Sequence, residues 1–283
     1  MHEAGYGKYL FLLAIWLCLL ARPDAARAME LEPDTLQAWN QYIQAMHARS
    51  RESMESGQTF LRIDAHPAKR RMLREGRVLV WPGTKGGRIS VPSGLIHDWV
   101  GTIFIPDATL DQVLAVVRDF DNYKDHYKPS VIESKLLRND GNHPEFRLRF
   151  EKKVLVVTAT IDCTFREHFV TVGPDRVWTR ALSTSAQEVE RPGETDEHTL
   201  PDGTGDGYLW RLGAESRFEA ADGGVYLQLQ AVGLSRDVPI LSRWFLDPVV
   251  NRLSRSAVEE SLRRTRQAVL ELKSGQRMAT ARQ

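Results

Sequence analysis

The sequence predicts an α+β fold: a curved antiparallel sheet wrapped around one long C-terminal helix, with an N-terminal helical extension. Three observations predict it. From residue 145 to 234 alternating apolar and polar runs are separated by turn residues, the mark of half-buried antiparallel strands. Beyond that the period changes, and Leu246, Val250, Leu253, Ala257, Val258, Leu262, Val269 and Leu272 form one helical stripe. The chain has 283 residues, 42% hydrophobic and 27% charged, enough for one sizeable core and an appendage.

That balance excludes a disordered chain. With 38 Lys plus Arg against 37 Asp plus Glu, the net charge of +1 argues against a generally basic nucleic-acid binder, so no nucleic-acid partner is expected. Two cysteines exclude a disulfide-rich scaffold and a four-cysteine zinc site. No G-x-S-x-G, H-E-x-x-H, P-loop or C-x-x-C occurs. No catalytic residue, metal ligand or cofactor is therefore expected.

Residues 1–28 read as a secretory signal peptide. Lys8 precedes an apolar run of 13 residues from Tyr9 to Ala21, and Ala26-Arg27-Ala28 is an A-x-A cleavage pattern. A spanning helix needs about 20 apolar residues, so the run is short for a permanent anchor. Cleavage after Ala28 predicts a periplasmic or secreted protein of zero net charge whose lone cysteine is Cys163. An uncleaved tether is the alternative.

Residues 29–92 form the extension. Asp34 and Gln37 have capping-box spacing, and Leu36, Trp39, Ile43 and Met46 follow on one helical face to about Met54. Thr59 to Ile63 predicts a short strand. The basic run Lys69, Arg70, Arg71, Arg74 predicts a short helix, read as a solvated face or as a transient membrane contact. Arg77 to Trp81 predicts another strand, and 82–94 a connecting loop rich in Gly and Pro.

The main domain is assigned to 93–273, with 274–283 as a polar tail. Leu95 to Ile105 predicts its first strand. Thr109 and Gln112 make a second capping box before the stripe Leu110, Val113, Leu114, Val117. Strands follow at 130–138, 145–153, 157–169, 176–189, 208–218 and 225–234. In the third of these Val157, Ala159, Ile161, Cys163, Phe165 and Phe169 share one parity and polar residues the other. Asp247-Pro248 predicts the start of the final helix. Running to 273, it would be about 39 Å long.

This is the helix-grip order, and it resembles the START-like (SRPBCC) superfamily of lipid-transfer domains, polyketide cyclases and coenzyme Q-binding proteins. The resemblance covers about 93–273. It rests on Val113 to Val131, with Asp119, Tyr123 and Pro129, and on the run Leu234 to Pro239. It implies a cavity between sheet and helix that takes a hydrophobic molecule or lipid. The ligand-binding candidates are Phe146, Leu148, Phe150, Ile161, Phe165, Tyr208, Trp210 and Phe218 on the inward parity, with Arg236 near the turn into the helix. Three readings follow: an exported carrier of a hydrophobic ligand, a cyclase- or aromatase-like enzyme, and an envelope interaction module with a filled pocket.

Overall fold

The computed structural model describes residues 29–56, 59–154, 157–237 and 240–281. The predicted signal peptide lies outside them. The chain has a helix-grip fold, an antiparallel sheet with one long C-terminal helix across its face. Its centre is a ten-stranded sheet, antiparallel throughout. Eight strands follow one another across it: β2 (Leu79–Pro82), β4 (Gly94–Pro106), β12 (Gly224–Arg236), β11 (Arg211–Ala221), β8 (Arg176–Glu190), β7 (Val157–Gly173), β6 (Glu145–Val154) and β5 (Val131–Arg138). Two more join from the side, β3 (Arg88–Val91) on β4 and β9 (His198–Thr199) on β8. A separate ribbon pairs β1 (Met29–Glu30) with β10 (Thr204–Gly205).

The helix α5 (Ile240–Ala281) crosses the concave face. Its Val258, Leu262, Ala268 and Val269 are buried in the main apolar cluster. Gly101 of β4 sets how close it comes. A Cβ there would lie 2.6 Å from Leu262 Cδ1 and 2.7 Å from Val258 Cγ1. Helix α3 (Leu110–Val117) closes one end of the same face, and both halves of its Thr109–Gln112 capping box are formed. A single turn, α4 (Tyr123–His126), then leads to β5.

Alternation places the other parity on the convex face, and the N-terminal extension covers it. Helix α1 (Pro33–Glu55) packs Trp39, Ile43 and Met46 against Ile96, Trp210, Val232 and Leu234. Phe60, Leu61, Ile63 and Leu73 pack against Phe104 and Tyr226. Between these clusters the contact is polar. Tyr42 donates to Asp98 (2.6 Å), which also accepts from Gln230 (2.8 Å). Arg62 reaches Gln228 through its backbone N–H and Gln230 through its guanidinium, each at 2.8 Å. Ser50 donates to Glu215 (2.6 Å), and Arg217 joins Glu215 to the Phe60 carbonyl.

Five expectations change. Residues 59–63 form a turn, not a strand. Asp64 Oδ2 accepts the Leu61 N–H, and Arg62 donates to a side chain, so the segment plugs the convex face instead of extending a ladder. Helix α1 starts at Pro33, a position whose missing N–H costs nothing, so the Asp34–Gln37 box falls inside it. Residues 88–91 are strand β3, not loop, because Arg88 to Val91 pair with His97 to Gly94. Strand β11 starts at Arg211, three residues after the predicted start. Helix α5 begins at Ile240, so Asp247-Pro248 lies inside it, and it continues to Ala281 through the predicted tail.

The basic run forms α2 (Pro67–Arg74), and three of its four cations meet partners within the molecule. Arg70 pairs with Asp64 and Glu219, Arg74 with Asp222 (2.7 Å), and Lys69 lies over the Trp81 ring. No described helix is long and apolar enough to cross a membrane.

Candidate functional site: the concave face

The inward side chains divide the concave face into two ends. At the end nearest α3, aromatic rings fill the space. Phe120 stacks on Phe146 with centroids 4.5 Å apart, and Phe146 on Phe165 at 5.3 Å. Tyr123 and Tyr127 meet edge to face at 4.9 Å. Phe218, Val225, Leu227, Ile103, Ile105 and Phe169 are buried around them.

Towards the other end the same strands carry smaller residues, and these are half-buried. On β11 Phe218 gives way to Ser216, Ala214 and Leu212, and on β12 Leu227 gives way to Leu229 and Ala231. Ala214 and Ala231 are direct cross-strand partners. Gly233, Leu209 and Phe150 extend this surface, also half-buried. Two alanines side by side make this the stretch of wall with the smallest side chains. The result is a half-buried apolar surface beside a filled end.

A few polar groups stand on the inner face. Glu167 of β7 breaks the apolar parity of its strand and is buried. Burial pushes its carboxyl up to about 7, against a hydrogen bond from Thr179 and the charge of Arg118, which pull it down. Tyr127 Oη and Thr265 Oγ1 are 3.0 Å apart, and Tyr123 donates to the Val117 carbonyl. Burial pushes both phenols up, that of Tyr127 to about 12. Trp99 Nε1 is buried without a partner among the described residues. Cys163 is fully buried, and desolvation raises its thiol far above the usual range.

Of the nine residues predicted for the site, six stand on the concave face. Phe146, Leu148, Ile161, Phe165 and Phe218 are buried in its cluster, and Phe150 packs on it half-buried. The other three meet elsewhere, around Gly207, whose built Cβ would touch Arg236 Cβ at 2.8 Å and Trp210 Cζ2 at 2.9 Å. Trp210 packs on the convex side with Trp39. It precedes β11, so the parity drawn through a strand starting at 208 does not reach it. Tyr208 is 42% exposed, its N–H bonded to Glu188 at 3.0 Å. Arg236 donates its backbone N–H to the Gly207 carbonyl. Glu167 was missed, and its signal was the one charged residue on an otherwise apolar parity.

The loop charges at the end of α3 have local partners. His126 Nε2 lies 2.9 Å from Asp119, and Asp121 accepts the Leu136 N–H, which holds its carboxyl below the usual range.

No protein-family model and no curated protein matches the chain. Solved structures with a similar outline include a STAR-related lipid transfer protein from Xanthomonas axonopodis. It is 15% identical, with 65% of this chain and 98% of that one covered, at a TM-score of 0.46. Human STARD10 is 13% identical over 75% of this chain and 83% of its own, at a TM-score of 0.43. The di-domain aromatase/cyclase StfQ of the steffimycin biosynthetic pathway is 12% identical over 63% and 52%, also at 0.43. The likeness is one of fold.

Proposed function

We propose that this chain binds a hydrophobic molecule of lipid type on its concave face, as an exported carrier. The observation that carries the reading is the half-buried apolar surface centred on the paired alanines Ala214 and Ala231, where we infer a recess beside the filled aromatic end. An acyl or isoprenoid chain laid there would be held by area alone, at roughly 25 cal/mol per Å² of apolar surface buried. The wall needs no motif for that. Leu209, Leu212, Leu229 and Phe150 supply contact. The apolar run and A-x-A pattern of residues 1–28 support export. A transient approach to a membrane belongs to the same reading, since a lipid must be collected and delivered.

The test is native mass spectrometry of the chain from Met29, purified from its source envelope, followed by solvent extraction. A reproducible adduct that extracts as a lipid is the expected result. Substituting Ala214→Phe together with Ala231→Phe fills the recess and should abolish the adduct while the fold persists. A clean apo mass, with no uptake from a lipid panel, would overturn the carrier. The stacked Phe120, Phe146 and Phe165 would then favour the interaction module with a filled pocket. A cyclase-like activity has one supporting feature, the carboxyl of Glu167 poised near neutrality on the inner face.

A further inference from the structure

On the convex face one row of side chains runs across three strands. His168 of β7 pairs in register with Arg180 of β8, and Arg180 with Glu215 of β11. Trp178 lies two residues from Arg180 on the same face, and the guanidinium stacks over its ring at 4.7 Å. Arg180 Nη2 is 2.7 Å from His168 Nδ1, and His168 stacks on His143 at 4.4 Å. Helix α1 is held over this row because Ser50 donates to Glu215. That bond brings down the same helical face at positions 47 and 51, a spacing that puts His47 and Arg51 side by side.

Three side-chain nitrogens here are buried without a partner among the described residues: the N–H donors Trp178 Nε1 and Arg180 Nε, and His47 Nε2, whose role follows the tautomer. His47 is 9% exposed and Trp178 4%. A buried polar group left unpaired carries its full desolvation cost, so this row is a costly arrangement for packing alone. Their common complement is an acceptor with several oxygens and negative charge. Arg51, Arg180 and Arg217 stand near Glu215, whose Oε1 accepts from Ser50 and Arg217 and whose Oε2 is itself buried without a partner among the described residues. Burial, with Arg180 and Arg51 close by, pushes His47 down to about 4, so an anion would relieve the crowding of positive charge.

We propose that His47, Arg51, Trp178 and Arg180 form a binding site for a phosphate-type oxyanion on the convex face, separate from the apolar recess. Trp178 and His47 donate from the buried side, and the Arg180 fork closes on the oxygens as guanidinium groups do. The oxyanion is either free phosphate or the phosphate of a lipid headgroup, and both present the same oxygens.

The experiment is a titration of the full chain with sodium phosphate at constant ionic strength, read from the indole N–H resonances. Trp178 is assigned with Trp178→Phe. A saturable shift of that resonance is expected, absent with chloride and weakened at least tenfold in Arg180→Gln. Arg180→Lys keeps the charge but loses the fork, and should fall between. Circular dichroism of each variant shows whether it is folded. A parallel titration with glycerol 3-phosphate, the soluble headgroup of phosphatidic acid, separates the sources: tighter binding than phosphate indicates a lipid headgroup, equal or weaker binding the free anion. No saturable shift with either compound, or unchanged affinity in folded Arg180→Gln, overturns the site. A failure of lipid uptake at the recess leaves this readout untouched.

Discussion

The two faces of one sheet are buried by opposite chemistry. On the concave side Phe146, Phe165 and Phe218 meet the apolar stripe of α5. On the convex side Asp98, Glu215, Arg217, Glu219, Gln228 and Gln230 are buried too, under α1 and the turn at 60–64. Apolar burial is non-directional, so a face built that way tolerates a recess and an exchangeable occupant. Polar burial is directional, because each donor must meet its acceptor or be lost at full cost. The extension is therefore locked in one register, and adaptability is left to the other face.

The largest effect that would break this contrast is expected at Arg217. Arg217→Met leaves Glu215 and the Phe60 carbonyl without their cation, and should cost about 3–5 kcal/mol in urea unfolding. A loss below 1 kcal/mol would mean the polar seam does not hold the extension. Phe146→Ala removes a ring stacked between Phe120 and Phe165 and should cost a similar 3–5 kcal/mol at most, less if the recess lets the cluster relax. Arg217→Met should free the extension to limited proteolysis, and Phe146→Ala should not.

Glu167 sharpens the comparison through pH. Its folded carboxyl sits near 7 and its unfolded one near 4.5, so between those values the folded state holds the extra proton. Its contribution is complete below pH 4.5 and is lost as pH rises to 7. Glu167→Gln should match the parent at pH 4 and exceed its stability by about 2–3 kcal/mol at pH 8. Parallel stability curves from pH 5 to 8 would show that the carboxyl is solvated. The smallest effect belongs to Arg74→Ala. Its pair with Asp222 is solvent-screened, so its loss should barely move the urea midpoint, and not at all in high salt.

What could be read from the sequence follows the same division. Strands whose inward parity is apolar, such as Phe146 to Phe150 and Ile161 to Phe169, announced their face, and the Thr109–Gln112 box announced its helix. The convex seam was not legible. Arg62, Asp98, Gln228 and Gln230 look like ordinary wet-face residues until α1 is laid over them, because polar partners carry no period. The alanine recess was hidden for a related reason. Ala214 and Ala231 read as small core residues, and only their register across two strands makes them neighbours. Trp210 shows how one misplaced strand start moves a side chain to the opposite face.

The seam also has a consequence in time. Ser50 meets Glu215 across 165 residues, and Arg62 meets Gln228 and Gln230 across 166 and 168. Contacts so distant in sequence raise contact order and slow folding, because the intervening loop must close before they form. A chain made from its N-terminus exposes Trp39, Ile43, Met46 and Phe60 long before β11 and β12 exist to receive them. The first part of the described chain to be synthesised thus waits, with its apolar side chains uncovered, for two of the last strands.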